Sequence, residues 1–477
     1  MTRTTTTRST TARSTRYALI GTGGRAQLYL TALAGPYAEV AELVAWGDTN
    51  PGRLEWNERR LAEAGLAAPE RIDLAALSAH VARSRIDRVI VTAPDHAHAE
   101  VVVAALDGGA DVVVEKPLTT DAEGVRRIAD AVDRTGRDVV TTFNYRYSPR
   151  NAALKQVVAD GRIGEVTSVH FEWLLDTSHG ADYFRRWHRR KESSGGLLVH
   201  KSSHHFDLVG WWLADAPERV YASGGLRFYG EENAARRGLG DRPARGTYDG
   251  ADRDPFALDL REHDLLRGLY HEQEEHDGYL RDQDVFAPGI DIEDNLSVVV
   301  DYARGATMTY SLNAHSPWEG YTVALNGTRG RAELTVVERG AVLADGGSRP
   351  VDPTAAGDAA ADDGPRRVGE RLVVQEHFAS AREIAVPQAA GGHGGADDAL
   401  LRDLFLGSAH DDLGRAATWL DGVRALAVGV AANESLASGL PVAVRDLDLG
   451  AAQPALEVAS TVRAAPVAAP GRAALAG

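Results

Sequence analysis

Residues 195–207 hold an unusual density of side chains that can exchange protons. They read Gly-Gly-Leu-Leu-Val-His-Lys-Ser-Ser-His-His-Phe-Asp, so His200, His204 and Asp207 are spaced four and three residues apart. On a helix predicted from Gly196 to Leu213 this spacing puts the three side chains on one face. Lys201 and His205 then lie on the neighbouring face. An imidazole titrates near neutral pH, so this helix is predicted to bind a hydroxyl-rich substrate and accept its proton.

Two other interpretations of the same residues stay open. Histidines on a helix are often hydrogen-bonded packing residues, and for His205 this reading is as good as a functional one. His200 and His204, with Asp207, could also ligate zinc or manganese. We favour the proton-exchange interpretation and predict no metal site.

A glycine-rich turn, Gly21-Thr22-Gly23-Gly24-Arg25-Ala26, lies between an apolar run and a helical pattern. Glycines there allow a tight turn and let backbone amides approach a pyrophosphate, whose charge the helix N-terminus favours. Asp48 ends the second apolar run and can accept hydrogen bonds from both ribose hydroxyls. This favours NAD over NADP, although Arg53 weakens the preference. The alternative is a glycine turn that binds another ligand.

The elements that carry these residues form two patterns. Near-continuous apolar strands alternate with helices over residues 16–147, which predicts a Rossmann domain with a doubly wound parallel sheet. Runs in which apolar and polar residues alternate with period two follow. Residues 148–452 are therefore predicted to form an α+β domain with a large, mostly antiparallel sheet. Residues 230–290 look like an insertion. Residues 1–15 and the Ala/Pro-rich residues 453–477 are predicted tails.

Composition narrows the class of protein. The chain has 477 residues, a formal net charge of −16 and no cysteine. An acidic chain repels polyanions, so neither nucleic acid nor membrane is an expected partner, and no apolar stretch is long enough to span a bilayer. The lack of cysteine excludes disulfides, thiolate nucleophiles and Cys-ligated zinc. It fits a reducing compartment, and we expect a cytoplasmic location.

Two further motifs carry a family resemblance. Thr92-Ala93-Pro94-Asp95-His96-Ala97-His98 runs on from the third strand, and Glu115-Lys116-Pro117 follows the next. With the glycine turn, they resemble the Gfo/Idh/MocA oxidoreductases, which include glucose–fructose oxidoreductase and inositol dehydrogenase. Residues 144–149, Gly195-Gly196 and residues 393–397 also match, so the resemblance covers nearly the whole chain. The insertion is similar to that of longer, glycoside-acting members.

The resemblance implies roles for the matched residues. Lys116 would lie near the nicotinamide and the reacting hydroxyl, aimed by a Lys116–Pro117 peptide that is often cis in relatives. His204 matches the family's acid/base histidine, while His200 replaces an aspartate, so we predict Lys116, His204 and His200 as catalytic. The predicted cofactor residues are Gly21, Gly23, Gly24, Arg25, Ala26, Asp48, Thr92, Pro94, His98, Glu115 and Lys116. The predicted substrate residues are Tyr145, Arg146, His179, Lys201, Asp207 and His393.

Other side chains are weaker pocket candidates. Tyr183, Arg186, Trp187 and His188 suit sugar rings and cofactor edges, but the same run could be a loop anchored by core aromatics. Residues 270–284 of the insertion could cap the pocket or form an oligomer contact. We expect a homo-oligomer, a dimer or a tetramer, because a large antiparallel sheet offers an exposed face.

Three functions compete. The leading one is an NAD(P)-dependent dehydrogenase that oxidises a secondary hydroxyl of a sugar, a glycoside (at C3, for example) or a cyclitol, with NAD as the preferred cofactor. The alternative is an NAD-dependent glycosidase or lyase that oxidises its substrate transiently and cleaves it by elimination. A non-catalytic sensor would have lost catalytic positions, and the presence of Lys116 and His204 argues against it.

Overall fold

The computed structural model describes residues 13–342, 365–387, 392–407, 411–454 and 456, without the side chains of residues 392–394. Most of the two predicted tails lies outside these ranges. Within them, no helix is long and apolar enough to cross a membrane.

The N-terminal part is a six-stranded parallel sheet flanked by helices, in the order β3-β2-β1-β4-β5-β6. Its first strand is apolar and buried on both faces, as Leu19 and Ile20 show, which is typical of parallel sheets. The strand order reverses between β1 and β4, which opens a crevice at their carboxyl ends. The strands are β1 (Thr15–Ile20), β2 (Ala41–Gly47), β3 (Glu70–Arg71), β4 (Arg88–Val91), β5 (Asp111–Val114) and β6 (Val139–Thr141). The helices are α1 (Ala26–Ala34), α2 (Pro51–Glu63), α3 (Leu77–Ser84), α4 (His98–Asp107) and α5 (Ala122–Thr135).

The C-terminal part contains a nine-stranded sheet in the order β14-β13-β12-β11-β7-β10-β9-β8-β15. It is antiparallel except for the central pair β7 and β10, which run parallel. The strands are β7 (Val166–Asp176), β8 (Pro217–Gly225), β9 (Asn295–Tyr302), β10 (Thr307–Ser316), β11 (Glu319–Gly327), β12 (Gly330–Arg339), β13 (Gly369–Glu376), β14 (Arg382–Ile384) and β15 (Val442–Ala443). The helices are α6 (Pro149–Ala159), α7 (His179–Arg185), α8 (Lys191–Ser194), α9 (Leu197–His200), α10 (Ser202–Leu213), α11 (Glu231–Arg236), α12 (Asp264–Leu269), α13 (Glu274–Asp277), α14 (Gly392–Leu406) and α15 (Trp419–Ser438).

One face of the large sheet is covered by helices, and α15 is the longest of those in the described ranges. It starts with a capping box between Thr418 and Asp421, which satisfies free amides at the helix start. A side chain at Gly429 would meet the carbonyl of Leu198 at 2.6 Å, so glycine lets α15 approach α9 closely. On the other face Tyr221 and Val299 are exposed. This is the face on which a homo-oligomer contact is expected, and the homo-oligomer stays a prediction.

The predicted continuous helix from Gly196 to Leu213 is wrong in one respect, because it is interrupted at Lys201. The amide of His204 donates to the carbonyl of Lys201 at 3.3 Å. It therefore does not form the usual helical hydrogen bond to the His200 carbonyl. That carbonyl accepts a hydrogen bond from Lys116 Nζ at 3.1 Å instead. The interruption therefore joins the end of α9 to the Rossmann half of the molecule.

The insertion consists of short helices and turns that pack on the Rossmann half. Leu260, Leu266, Leu269 and Tyr270 form a small apolar cluster that also contacts Trp56 of α2. This packing brings the segment of α12 and α13 next to the glycine turn.

Candidate active site

A cavity of about 580 Å³ lies where the carboxyl ends of the parallel strands meet α7, α9 and the insertion. Most predicted site residues line it. They are Gly21, Gly23, Gly24, Arg25, Asp48, Thr92, Pro94, His98, Glu115, Lys116, Tyr145, His179, His200, Lys201 and His204. Tyr183, Arg186, Trp187 and His188 line it as well. The fold thus brings together residues that lie up to 183 positions apart, from Gly21 to His204.

Among the predicted residues whose side chains the structure describes, three do not line this cavity. Ala26 is the first residue of α1, and its side chain is fully buried in the core. Arg146 and Asp207 bind each other and line a separate cavity of about 320 Å³. His393 lies in α14, but its side chain is outside the described part of the structure.

The glycine turn is built for close approach. Gly21 has a φ of +90°, and a Cβ on it would lie 2.6 Å from the amide nitrogen of Ala93, so the position requires glycine. Above Gly23 the space is open except for the Tyr270 hydroxyl, which an added Cβ would meet at 3.1 Å. The Gly24 amide donates to that hydroxyl at 2.8 Å. The Tyr270 hydroxyl therefore occupies the Gly24 amide, and the rest of the turn leaves an open cradle that fits the pyrophosphate of a dinucleotide.

Asp48 ends β2 beside the cradle and is held firmly. Its Oδ2 accepts from the Thr22 amide at 2.6 Å and from the Thr22 hydroxyl at 3.0 Å. Its Oδ1 accepts from the Asn50 amide at 2.8 Å and from Arg53 at 3.4 Å. The contact with Arg53 is the longest, and it is the one that a ribose hydroxyl would replace at the least cost.

Glu115 and Arg25 bind each other, and neither faces the cavity as an isolated charge. Arg25 Nε donates to Glu115 Oε1 at 2.6 Å, and the Tyr29 hydroxyl donates to the same oxygen at 2.9 Å. Arg25 also approaches Asp397 of α14 at 3.4 Å. These bonds fix the position of Glu115, the cavity residue that comes directly before Lys116 in the sequence.

His98 is also a wall residue. Its two ring nitrogens lie 2.8 Å from the Pro117 carbonyl and 2.9 Å from the Ala93 carbonyl. The ring therefore ties the loop after β4 to the loop after β5, and burial lowers its pKa.

Lys116 lies at the junction of the two halves of the cavity. The Lys116–Pro117 peptide is cis, and Nζ lies 3.1 Å from the His200 carbonyl and 3.5 Å from His200 Nε2. Burial lowers the pKa of Lys116 to about 8, the charge of Asp95 opposes that shift and Lys201 adds to it. A lysine with such a pKa exchanges protons near neutral pH.

His200 is oriented by a carboxylate. Its Nδ1 lies 2.5 Å from Asp95 Oδ2, and both side chains are buried. Burial, followed by the charge of Lys116, holds the pKa of His200 well below its usual range, so the ring is neutral. Burial raises the pKa of Asp95 well above its usual range, and the charges of Lys116 and Arg186 oppose that shift. When Asp95 is ionised, Nδ1 donates to it and the lone pair of Nε2 faces Lys116.

Tyr145, His204 and Lys201 form the neighbouring wall. The rings of Tyr145 and His204 stack with centroids 4.2 Å apart. Lys201 Nζ donates to the Tyr145 hydroxyl at 3.1 Å and lies 5.0 Å from the centre of the Trp173 ring. Burial lowers the pKa of Lys201, and Glu319 and Glu338 oppose that shift.

A second histidine–carboxylate pair lies at the far end of the cavity. His179 Nδ1 donates to Glu319 Oε1 at 2.5 Å, and its Nε2 accepts from the Tyr183 hydroxyl at 3.0 Å. Burial and then Lys201 lower the pKa of His179 to about 3. Burial and then Glu338 raise the pKa of Glu319 to about 7. The pair can therefore gain or lose a proton near neutral pH.

Asp207 does not share the cavity with His200 and His204. Arg146 holds it through two bonds of 2.6 and 2.8 Å. No group of three His, Asp or Glu side chains in the described ranges is arranged to hold a metal ion, which counts against the zinc or manganese interpretation. His205 is a packing residue, stacked on Trp173 with centroids 4.0 Å apart and bonded to the Tyr310 hydroxyl at 2.7 Å.

Sequence reasoning missed four residues of the site: Asp95, Glu319, Tyr270 and Asp277. Asp95 had a usable signal, because it follows the end of a parallel strand, where such sheets bind ligands. Glu319 begins an antiparallel strand and has no such signal. For Tyr270 and Asp277 the only hint was that their segment could form a cap.

Comparison with known proteins agrees with this arrangement. Residues 15–143 match the NAD-binding Rossmann fold of the Gfo/Idh/MocA oxidoreductases, and residues 155–444 match their C-terminal alpha/beta domain. The chain belongs to the Gfo/Idh/MocA oxidoreductase family. The resemblance and the fold class predicted from the sequence are therefore confirmed, and the cofactor domain is an NAD-binding Rossmann fold.

Relatives cover different shares of the chain. YteT of Bacillus subtilis, which is named as an oxidoreductase, is 32% identical over 436 residues, or 88% of this chain and 95% of that protein. The inositol 2-dehydrogenase of Rhizobium meliloti is 28% identical over 208 residues, or 44% of this chain and 58% of that protein. The structure of a levoglucosan dehydrogenase in complex with NADH aligns with a TM-score of 0.59 at 17% identity, over 91% of this chain and 99% of that chain. At that identity the last match shows the shared fold alone.

Proposed function

We propose that the protein is an NAD-dependent dehydrogenase that oxidises a secondary hydroxyl of a sugar, a glycoside or a cyclitol. The observation that carries the proposal is the contact of Lys116 with His200 and, through it, Asp95, at the junction of the dinucleotide cradle and a polar cavity. NAD, when bound, supplies the hydride acceptor.

The proton path follows from the geometry. Lys116, with a pKa of about 8, accepts the proton of the substrate hydroxyl as the carbon loses its hydride. His200 Nε2 lies 3.5 Å from Nζ, so the neutral ring can accept a hydrogen bond from Nζ and orient it, while Asp95 holds the ring in place. Lys116 and His200 are therefore the proposed catalytic residues, and Asp95 is a positioning residue.

The cavity walls support the proposed substrate class. Its volume of about 580 Å³ is within the usual range for small ligands. Lys201 and the Tyr183 hydroxyl present polar groups that suit substrate hydroxyls, and Trp187 presents a ring surface. The names of the inositol and levoglucosan dehydrogenases among the relatives support a carbohydrate or cyclitol. His204, stacked on Tyr145, is proposed to contact the substrate ring.

The test is a screen of sugars, cyclitols and glycosides with NAD and with NADP, followed at the absorbance band of the reduced nicotinamide. We expect reduction of NAD with at least one polyhydroxylated ring. Failure of every such substrate to reduce either dinucleotide, with the dinucleotide shown to bind, would contradict the proposal.

The pair of His179 and Glu319 favours a second candidate, a redox-neutral glycosidase or lyase. In that reaction the transient ketone acidifies the neighbouring carbon, and the His179–Glu319 pair takes up its proton, with Glu319 as the final acceptor because its pKa is about 7. The leaving group departs, water adds in the glycosidase but not in the lyase, and the hydride then returns to the carbonyl carbon. Substrate recovered from D₂O would carry deuterium next to the oxidised carbon, and net reduced nicotinamide would not accumulate. Accumulation without deuterium exchange supports the simple dehydrogenase.

A further inference from the structure

The insertion reaches the ribose end of the dinucleotide site. Besides the bond from Gly24 to Tyr270, the side chain of Asn50 donates to the Gln273 carbonyl at 3.0 Å. Gly52, at the start of α2, lies so close to Gln273 that a Cβ would clash with its side chain. The segment of α12 and α13 is therefore docked on the loop that follows β2, where Asp48 lies.

Arg53 is held by this segment. Its guanidinium donates to Asp277 at 2.7 Å and to the Leu269 carbonyl at 3.3 Å, while Asp48 lies at 3.4 Å. The rings of Tyr270 and Tyr279 lie 5.5 and 5.9 Å from it. The side chain is only 12% exposed, so its position is fixed from several sides.

The geometry points to Asp277 as a residue that selects NAD against NADP, an inference that rests on the proposed dinucleotide site. An arginine five residues after Asp48 would by itself attract a 2′-phosphate. Here two carboxylates, Asp48 and Asp277, share that one guanidinium, so the group of three has a net charge of −1. A 2′-phosphate would have to break the shorter of the two ion pairs and approach both carboxylates.

The test is the affinity of the purified protein for NAD and NADP, measured by titration calorimetry without substrate. We expect Asp277→Asn to bind NADP at least about tenfold more tightly than the unaltered protein, because the released guanidinium becomes available to phosphate. NAD affinity should change little. The control is Glu275→Gln, which removes the same charge from an exposed side chain of α13.

Two further outcomes make the test specific. The double variant Arg53→Ala with Asp277→Asn should lose the gained NADP affinity, because the gain depends on the guanidinium. An Asp277→Asn protein that binds NADP no better than Glu275→Gln, with an unchanged melting temperature, would overturn the inference. If the unaltered protein bound neither NAD nor NADP, the proposed function itself would fail, and this outcome is distinct from a failure of selectivity.

Discussion

Charged side chains lie on both sides of the α9–α10 segment, and the two sides differ in how these charges are paired. Towards the cavity, Lys116 is half-buried and Lys201 is buried, and neither forms an ion pair with a carboxylate of the described residues. Loss of solvation lowers the pKa of both. On the far side, Arg146 and Asp207 bind each other through two short bonds, with side chains 4% and 1% exposed. A cation without a close carboxylate is left ready to titrate, whereas the two-point ion pair gives a fixed structural contact, although burial still raises the pKa of Asp207 to about 6.

The histidines repeat this contrast. His200 contacts Asp95 through Nδ1 and Lys116 through Nε2. His205, in contrast, packs between Trp173 and Tyr310. Both rings belong to one short stretch of sequence. Residue type and spacing therefore do not separate a reactive imidazole from a packed one, and the partners on other elements do.

The largest expected effect is on the cavity side. Lys116→Met should lower kcat by about 10³-fold, because it removes the group that takes the hydroxyl proton. Affinity for NAD, measured by calorimetry, should stay nearly unchanged. Lys191→Met, at a lysine paired with Glu293 away from the cavity, is the control. Normal kcat in Lys116→Met with every active substrate would remove Lys116 from the mechanism.

On the far side the expected effect is on stability. Arg146→Met leaves Asp207 buried without its partner and should lower the free energy of unfolding by about 3–5 kcal/mol. Urea denaturation measures this. The control is Arg219→Met, which breaks the exposed pair with Asp301 and should cost about 1 kcal/mol or less. Equal losses in the two variants would show that burial does not distinguish the pairs.

Asp95→Asn tests whether the carboxylate orients His200. We expect kcat to fall by about 10²-fold, since the amide can present its NH₂ to the ring and favour the wrong tautomer. His200→Gln should cost a similar factor, and the double variant little more, because the two side chains act as a unit. Additive losses would mean that Asp95 acts independently of His200.

The sequence predicts the features that depend on local patterns, and it does not predict those that depend on contacts between distant residues. The Rossmann half was predictable because its strands are continuous apolar runs and its cofactor residues follow strand ends. The functional grouping of Lys116 and His200 came only from a family resemblance, because they are 84 positions apart. Arg146 and Asp207 matched site motifs, yet their mutual pairing, which removes them from the cavity, depends on tertiary packing. The same holds for Asp277, whose partner Arg53 lies 224 positions away.

The smallest expected effect is a shift in pH dependence. As a base, Lys116 must be neutral, so kcat/KM for oxidation should rise with pH and level off above about 8. The charge of Lys201 lowers the pKa of Lys116, so Lys201→Met should move this limb upwards, by about half a unit. Asp95→Asn should move it downwards, because the charge of Asp95 raises the same pKa. Shifts of opposite sign place the titrating group between Lys201 and Asp95, and a limb near pH 8 separates Lys116 from His200, whose pKa lies well below its usual range. A limb that moves the same way in both variants would place the titration elsewhere.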